Sequence, residues 1–111
     1  MAEETINVPV VAMSVIINAG DGRVCIDEAM DALAALDFET AESKLAEADE
    51  KILKAHQAQT EMIQREAGGE EIEISLLFIH AQDTLMTISA ELHMAKKMLP
   101  VVRALAIKAS A

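Results

Sequence analysis

Apolar side chains recur every three or four residues through one long segment in the middle of the chain. The residues of this stripe are Ala41, Leu45, Ala48, Ile52, Ala55, Ala58 (or Gln59), Met62 and Ile63. This spacing places the side chains on one face of an α-helix and does not fit the two-residue period of a strand. Asp37 is a favourable N-cap before the segment, and Gly68 and Gly69 stop the helix after it. We therefore predict a helix over 38–67.

The composition extends this interpretation to the whole chain. Hydrophobic residues make up 52% of the 111 residues, whereas aromatic residues make up 2%. The core must therefore be built from Ala, Leu, Ile, Val and Met, a set that favours helices over β-rich folds. The length suits one domain. We expect an all-α fold, a three-helix antiparallel bundle, in a single domain over 1–111.

The first helix is predicted over 9–36 and contains a local conflict. Asn7 or Thr5 can cap its start. Gly20 and Gly22 lie inside it, and each costs about 1 kcal/mol relative to alanine in a helix interior. Either the helix bends at these glycines or another backbone packs close to them.

The third helix is predicted over 75–98. Ser75 is a suitable N-cap, and Pro100 is expected to end or kink the helix because proline lacks a backbone N–H. The tail over 100–111 could resume as helix, and its conformation is left open.

The charge balance limits the classes of partner. Nine Lys and Arg residues against nineteen Asp and Glu residues give a formal net charge of −10. Binding to nucleic acid or to an anionic membrane surface is disfavoured, because both depend on basic side chains that meet phosphates. A partner protein with a basic face would be steered toward this chain.

One cysteine and one apolar run bear on the cellular compartment. Cys25 is the sole cysteine and cannot form an intrachain disulfide, which fits a reducing cytoplasm. The run VPVVAMSVII (8–17) is shorter than the roughly 20 apolar residues that a membrane span needs. A signal peptide would carry Lys or Arg before this run, and none precedes it. We predict a core helix of a cytoplasmic protein with no direct membrane insertion.

The predicted third helix carries two apolar stripes, although a lone three-helix domain needs one. The first stripe consists of Phe78, Ala81, Leu85, Ile88, Leu92, Ala95 and Leu99. The second, here called the outer seam, consists of Leu76, Ile79, Asp83, Met86 and Ala90. Its 3-4-3-4 spacing is typical of a coiled coil and predicts self-association. A carboxylate in such a seam is costly unless it is paired, protonated or bound to a metal ion.

His80 lies at the edge of the outer seam, one helical turn before Asp83, so the two side chains face roughly the same way. The first interpretation is a structural histidine satisfied by a neighbour, which is also how we interpret His56 and His93. The second is a metal-ligand pair with Asp83, although two ligands are fewer than the four that closed sites usually need. The third is covalent phosphoryl transfer, because neutral imidazole is nucleophilic near pH 7.

Phosphoryl transfer depends on positioning and charge stabilisation more than on acid–base chemistry. Gln82, Thr84 and Thr87 are nearby hydrogen-bond donors for phosphoryl oxygens or for orienting the imidazole ring. The charge of Asp83 would repel a phosphoryl group. A bound cation, or an axis shared by several copies of Asp83, would relieve that repulsion.

Three stretches of the chain resemble one known family. IHAQDTLM (79–86) is similar to an active-site segment that commonly reads VHAQDHLM, and IINAGDGR (16–23) is similar to a segment IINAG-x-AR. The long stretch AHQAQTEMIQREAGGEEIEISLLFIHAQD (55–83) also agrees. The likeness covers about 16–98. The family is that of the lactose/cellobiose-type IIA components of the bacterial phosphoenolpyruvate-dependent sugar phosphotransferase system.

The resemblance implies a fold, an activity and partners. Family members are three-helix subunits that form homotrimers, which are nine-helix bundles around a central parallel coiled coil. His80 would accept a phosphoryl group from the phosphohistidine of the carrier protein HPr and pass it to a cysteine of the IIB component, which serves the membrane component IIC. Asp83 would lie on the trimer axis, where three copies bind one Mg²⁺. Gln82 would orient the histidine through a hydrogen bond.

Two positions depart from the family pattern. Thr84 stands where a second histidine is usual, which puts the role of that histidine in doubt but not the role of His80. Gly22 stands where alanine is common, and we expect it to loosen the first helix.

Two other functions stay open from the residues. A histidine phosphotransfer module of two-component signalling would use the same chemistry, but such modules carry a basic residue near the histidine. No Lys or Arg occurs here between Arg65 and Lys96. A non-catalytic helical scaffold would need only the outer seam. No residue need encode the sugar, and the family suggests a β-glucoside disaccharide such as cellobiose, lactose or diacetylchitobiose.

Overall fold

The computed structural model describes residues 6–111, which form three α-helices and, in that range, no strand. Helix α1 spans Val8–Ala34, α2 spans Phe38–Ala67 and α3 spans Leu76–Ser110. The predicted all-α class and the number of helices are confirmed. Helix α2 has the predicted bounds, and α1 ends two residues before the predicted position 36.

Each helix begins at a residue that the sequence marks as a cap. The side chains of Asn7, Asp37 and Ser75 each accept a hydrogen bond from the backbone N–H three residues later, at 3.2, 3.2 and 3.1 Å. These bonds satisfy N–H groups that have no partner within the helix. Thr5, the alternative cap of the first helix, lies outside the described residues.

The ends of α1 and α2 are built in the same way. After α2, Gly69 adopts φ +99°, its N–H donates to the carbonyl of Glu66 at 3.0 Å, and the next N–H donates to the carbonyl of Arg65 at 3.1 Å. The equivalent pair of bonds closes α1, with Leu36 at φ +60° in the left-handed position. This is the Schellman ending, in which glycine is the usual residue at that position.

The hydrophobic core lies along the middle of the bundle, where α2 runs antiparallel to α1 and α3. The α1 residues that face it are Val8, Ala12, Val15, Ala19, Gly22, Cys25, Ile26, Ala29 and Leu33. The predicted stripes of α2 and α3 supply most of the rest, although Ile63 of the α2 stripe is 50% exposed. Among residues 6–111 no polar or charged residue is fully buried, so no charge lies in this core.

The two glycines of α1 have different surroundings. A Cβ atom built on Gly22 would lie 2.8 Å from Cγ1 of Ile52, so Gly22 lets α2 approach α1 closely. The expectation that Gly22 loosens α1 is therefore replaced by a packing role. A Cβ atom built on Gly20 would meet no heavy atom within 4 Å.

Helix α3 continues past Pro100 to Ser110, so the predicted end near Met98 is wrong, and the tail that the sequence left open is helical. Proline removes one backbone hydrogen bond from a helix interior. Packing on the inner face offsets this loss, because Leu99 is buried and Val102 contacts the core. Arg103 pairs with Glu42 on α2, and its guanidinium lies 5.1 Å from the centre of the Phe38 ring. These contacts, which the local sequence does not reveal, keep the segment helical.

Within the described part of the chain, α1 is the one helix long and apolar enough to cross a membrane by length and composition. Core helices and signal sequences share these properties. Here α1 has one face packed against α2 and α3 and another face that stays exposed.

Candidate functional site

His80 lies in the second turn of α3 with its imidazole exposed. Neither ring nitrogen is hydrogen-bonded to any residue of the described range 6–111. An imidazole whose nitrogens are free and reachable can act as a nucleophile toward a group carried by another protein. The structural interpretation, a histidine satisfied by a neighbour, does not hold for this residue within a single chain.

Thr84 and Thr87 follow His80 by one and two turns, on the same side of α3. Thr84 is half-buried and Thr87 is exposed. Their hydroxyl groups are the nearest neutral donors along this side of the helix. Beyond them, Glu91 accepts two hydrogen bonds from Arg23 of α1, at 2.9 and 2.7 Å, so that this guanidinium is already paired.

Gln82 lies on a different side of α3 from His80. Residues i and i+2 on an α-helix are about 200° apart and do not face each other. The Gln82 side chain lines a crevice between α2 and α3, together with Met62, Ile63, Glu66, Ile72, Ile74 and Phe78. The structure therefore does not bring Gln82 and His80 together within one chain, and the orienting role of Gln82 stays a prediction.

Asp83 is exposed on the outer seam, as are its neighbours Leu76, Ile79 and Met86 at 83%, 51% and 54%. A carboxylate oxygen is a ligand that Mg²⁺ prefers, but a single aspartate supplies too few ligands. No group of three or more His, Cys, Asp or Glu side chains could hold a metal ion within residues 6–111. A metal ion at Asp83 would therefore need ligands from further copies of the chain.

The end of the bundle that carries His80 is acidic. Glu66, Glu70, Glu71 and Glu73 line a shallow depression around Ile72 in the connection between α2 and α3. Such a group of carboxylates attracts a positively charged partner surface, and this attraction weakens as the salt concentration rises.

The other candidate nucleophiles are less suitable. Cys25 is buried, and its thiol donates to Oε2 of Glu47 at 3.7 Å. Burial, with the Glu47 hydrogen bond and charge, raises the pKa of Cys25, so the reactive thiolate is disfavoured. His56 is already in contact with Thr60, at 3.3 Å from Nδ1 to Oγ1. His93 is exposed like His80 and has no hydrogen-bond partner within residues 6–111, but the stretch IHAQDTLM, which carries the resemblance, surrounds only His80.

Comparison with known proteins identifies similar chains over most of the length. The family model for the lactose/cellobiose-specific IIA subunit of the PTS system matches residues 10–103. The lichenan-specific phosphotransferase enzyme IIA component of Bacillus subtilis (strain 168) is 47% identical over 76 residues, which cover 68% of this chain and 69% of the relative.

Solved structures agree with the helical architecture. The crystal structure of the PTS cellobiose-specific enzyme IIA from Bacillus anthracis matches with a TM-score of 0.87 and 33% identity, over 95% of this chain and 96% of that one. IIA(Chitobiose) of Escherichia coli, solved in solution as a complex with HPr, matches with a TM-score of 0.77 and 27% identity, over 91% and 98%.

Proposed function

Because the chain belongs to the lactose/cellobiose-specific IIA subunits of the sugar phosphotransferase system, we propose that it carries a phosphoryl group on His80. The group would come from phospho-HPr and pass to a cysteine of the IIB component. The observation that carries the proposal is the exposed imidazole of His80, which has no hydrogen-bond partner within residues 6–111.

The transfer reaction balances without an added reactant. A ring nitrogen of His80 attacks the phosphorus of the HPr phosphohistidine, the new N–P bond forms, and the N–P bond of HPr breaks. The second nitrogen of each ring keeps its proton. The thiolate of IIB then attacks the phosphorus, an S–P bond forms, the N–P bond of His80 breaks with its electron pair returning to the ring nitrogen, and His80 is left as neutral imidazole. The hydroxyl groups of Thr84 and Thr87 donate to phosphoryl oxygens while His80 holds the group.

The assembly that we propose is the homotrimer, a nine-helix bundle around a central parallel coiled coil. Its support is the exposed outer seam, because monomeric proteins rarely leave contiguous apolar surface of this kind in water. In the trimer the three copies of Asp83 face one another and hold one Mg²⁺. The ion would neutralise carboxylates that otherwise repel one another and the phosphoryl group. No step of the transfer uses the ion.

The partners follow from the same chemistry. The E. coli relative was solved with HPr, which supports HPr as the phosphoryl donor here. The net charge of −10 and the acidic end of the bundle favour docking proteins with basic faces and disfavour nucleic acid. We place the protein in the cytoplasm, where it serves IIC through IIB in the uptake of a β-linked disaccharide.

Phosphorylation in vitro tests the proposal. The chain is incubated with labelled phosphoenolpyruvate, enzyme I and HPr, and the label is traced by peptide mapping. We expect base-stable, acid-labile label on wild type and on His93→Ala, which removes another exposed histidine of α3, and none on His80→Ala. A scaffold predicts no label on any variant. A phosphotransfer module of two-component signalling predicts label from a sensor kinase instead of from HPr.

A further inference from the structure

The exposed apolar face of α3 continues beyond the outer seam toward the end of the helix. Met94, Val101 and Leu105 are 58%, 58% and 62% exposed. From Asp83 to Leu105 the outward positions are spaced 3-4-4-3-4-4, and Lys97 is the one charged residue among them after Asp83. An 11-residue repeat is close to the turn of a straight α-helix, so these positions stay on one face. We call Met94, Lys97, Val101 and Leu105 the distal seam.

Lys97 is a cation without a counterion in the single chain. It is exposed and makes no ion pair within residues 6–111. Lys96 and Arg103, in the neighbouring turns, are both paired with carboxylates of α2. Glu91 is the last acidic residue of the sequence, and it is already paired with Arg23. No carboxylate further along α3 is therefore available to Lys97.

His93 lies one turn before Lys97 on the same side of α3. Its imidazole is exposed and has no hydrogen-bond partner within the described residues. Side chains on an α-helix lean toward its N-terminus, so the Lys97 chain extends toward the turn that carries His93. An ammonium group and an imidazole N–H are both hydrogen-bond donors. Two donors without an acceptor in the described chain therefore converge at one level of α3.

We propose that three copies of Lys97, with His93 beside each, bind a small tetrahedral oxyanion such as inorganic phosphate on the axis of the assembly. The inference rests on the homotrimer proposed above, in which the outer seam of α3 faces that axis. The distal seam lies on the same face of α3, so the three Lys97 side chains meet at the axis about 21 Å beyond Asp83. Three ammonium groups at one axis repel one another unless an anion lies between them.

A tetrahedral oxyanion suits this arrangement in symmetry and in charge. Three of its oxygens can each accept from one of three equivalent ammonium groups, and such charge-assisted hydrogen bonds are short and strong. Met94 and Val101, one turn to either side of Lys97, would exclude water from the site and so strengthen the attraction. The competing partner of Lys97 is a carboxylate of a neighbouring copy. In that case removal of the lysine would weaken the assembly, whereas removal of a repelling cation strengthens it.

Inorganic phosphate is the probe that tests the inference. Wild type should broaden the phosphorus-31 NMR signal of free phosphate in a saturable way, and Lys97→Met should not. Sedimentation equilibrium then compares phosphate with chloride at equal ionic strength. At ten times its dissociation constant, phosphate should raise the association constant of wild type about elevenfold and leave that of Lys97→Met unchanged. In chloride, Lys97→Met should assemble more tightly than wild type, because the repulsion between three buried cations is gone.

Two further variants make the result specific. Lys54→Met removes an exposed lysine of α2 that makes no ion pair within residues 6–111, and should respond to phosphate as wild type does. His93→Ala should raise the phosphate dissociation constant about tenfold, because it removes a donor from each copy.

The inference is overturned if Lys97→Met responds to phosphate as wild type does, or if it assembles more weakly than wild type in chloride. It is also overturned if wild type is monomeric, which would end the proposed assembly as well, whereas a trimer without a phosphate response ends this inference alone. The His80 label is measured in parallel on Lys97→Met and should persist, so that the carrier function is judged separately.

Discussion

Gly22 of α1 lies directly against Ile52 of α2, and a Cβ atom at Gly22 would stand 2.8 Å from Cγ1 of the isoleucine. Gly22→Ala should therefore lower the free energy of unfolding. Overpacking costs about 1–3 kcal/mol, and the better helix propensity of alanine returns about 1 kcal/mol, so we expect a net loss of about 1 kcal/mol. Urea denaturation of both proteins at one chain concentration measures it.

The Ile52→Ala background provides the control for this prediction. With the isoleucine shortened, the added methyl group has room, and Gly22→Ala should be neutral or stabilising. Equal effects of Gly22→Ala in the two backgrounds would show that the contact does not limit the packing of α1 on α2.

Leu36 occupies a backbone conformation that favours glycine. Its φ is +60°, and the side chain is 53% exposed, so its replacement removes little packing. Leu36→Gly should raise the free energy of unfolding by about 0.5–1 kcal/mol, because relief of the left-handed strain exceeds the entropy that glycine adds to the unfolded chain. The thermal midpoint should rise accordingly.

Gly69 is the matched position at the end of α2, with φ +99°. Gly69→Ala should lower the free energy of unfolding by about 1 kcal/mol, since it creates the same backbone strain that Leu36→Gly removes. If Leu36→Gly destabilises the protein instead, the conformation of the turn after α1 is set by contacts of the leucine side chain.

The sequence predicted α2 and its ends well because every determinant of that helix is local. The Asp37 cap, the apolar period and the Gly68–Gly69 stop all lie within or next to the helix. The sequence left the tail after Pro100 open because its helical continuation depends on Glu42 and Phe38, far away in the chain. Close packing at the glycines of α1 was one of the two alternatives, but the partner of Gly22 could not be predicted, since Ile52 is on another helix.

The candidate site was predicted in part. The motif identified His80 and Asp83, and helical spacing put them on one side of α3. The same spacing separates Gln82 from His80, although closeness in the sequence and the resemblance had both linked the two residues.

The ion pair between Arg23 and Glu91 should make stability depend on acid. The hydrogen bond from Arg23 holds the pKa of Glu91 below its usual value. Desolvation of Glu91 opposes this effect, and the positive charge of Arg23 adds to it. A carboxyl with a lowered pKa in the fold contributes stability above its unfolded pKa, about 4.3, and loses it as pH falls through the folded value. Glu91→Gln should therefore flatten the stability profile below about pH 4.3.

Both side chains are partly exposed, at 45% and 40%, so the effect should be small and should decrease with salt. Glu50→Gln, at an exposed position of α2 that makes no ion pair within residues 6–111, is the control and should leave the profile as in wild type. An unchanged profile for Glu91→Gln would show that the pair does not persist in solution.

Asp83 should limit the stability of the proposed assembly in the absence of a metal ion. Three carboxylates at one axis repel one another, and replacing a buried charge cluster by apolar side chains is often neutral or stabilising. Asp83→Leu should therefore assemble as wild type does or more tightly. Mg²⁺ at about 100 times its dissociation constant should stabilise wild type by about 2.7 kcal/mol and leave Asp83→Leu unchanged.

Sedimentation equilibrium and thermal unfolding, each with Mg²⁺ and with a chelator, measure the two effects. Asp83→Asn keeps the size of the side chain without its charge, and should lose the response to Mg²⁺ while keeping the assembly. Dissociation of Asp83→Leu into single chains would mean that the carboxylate makes an attractive contact across the interface. An equal response of Asp83→Leu and wild type to Mg²⁺ would place the ion elsewhere.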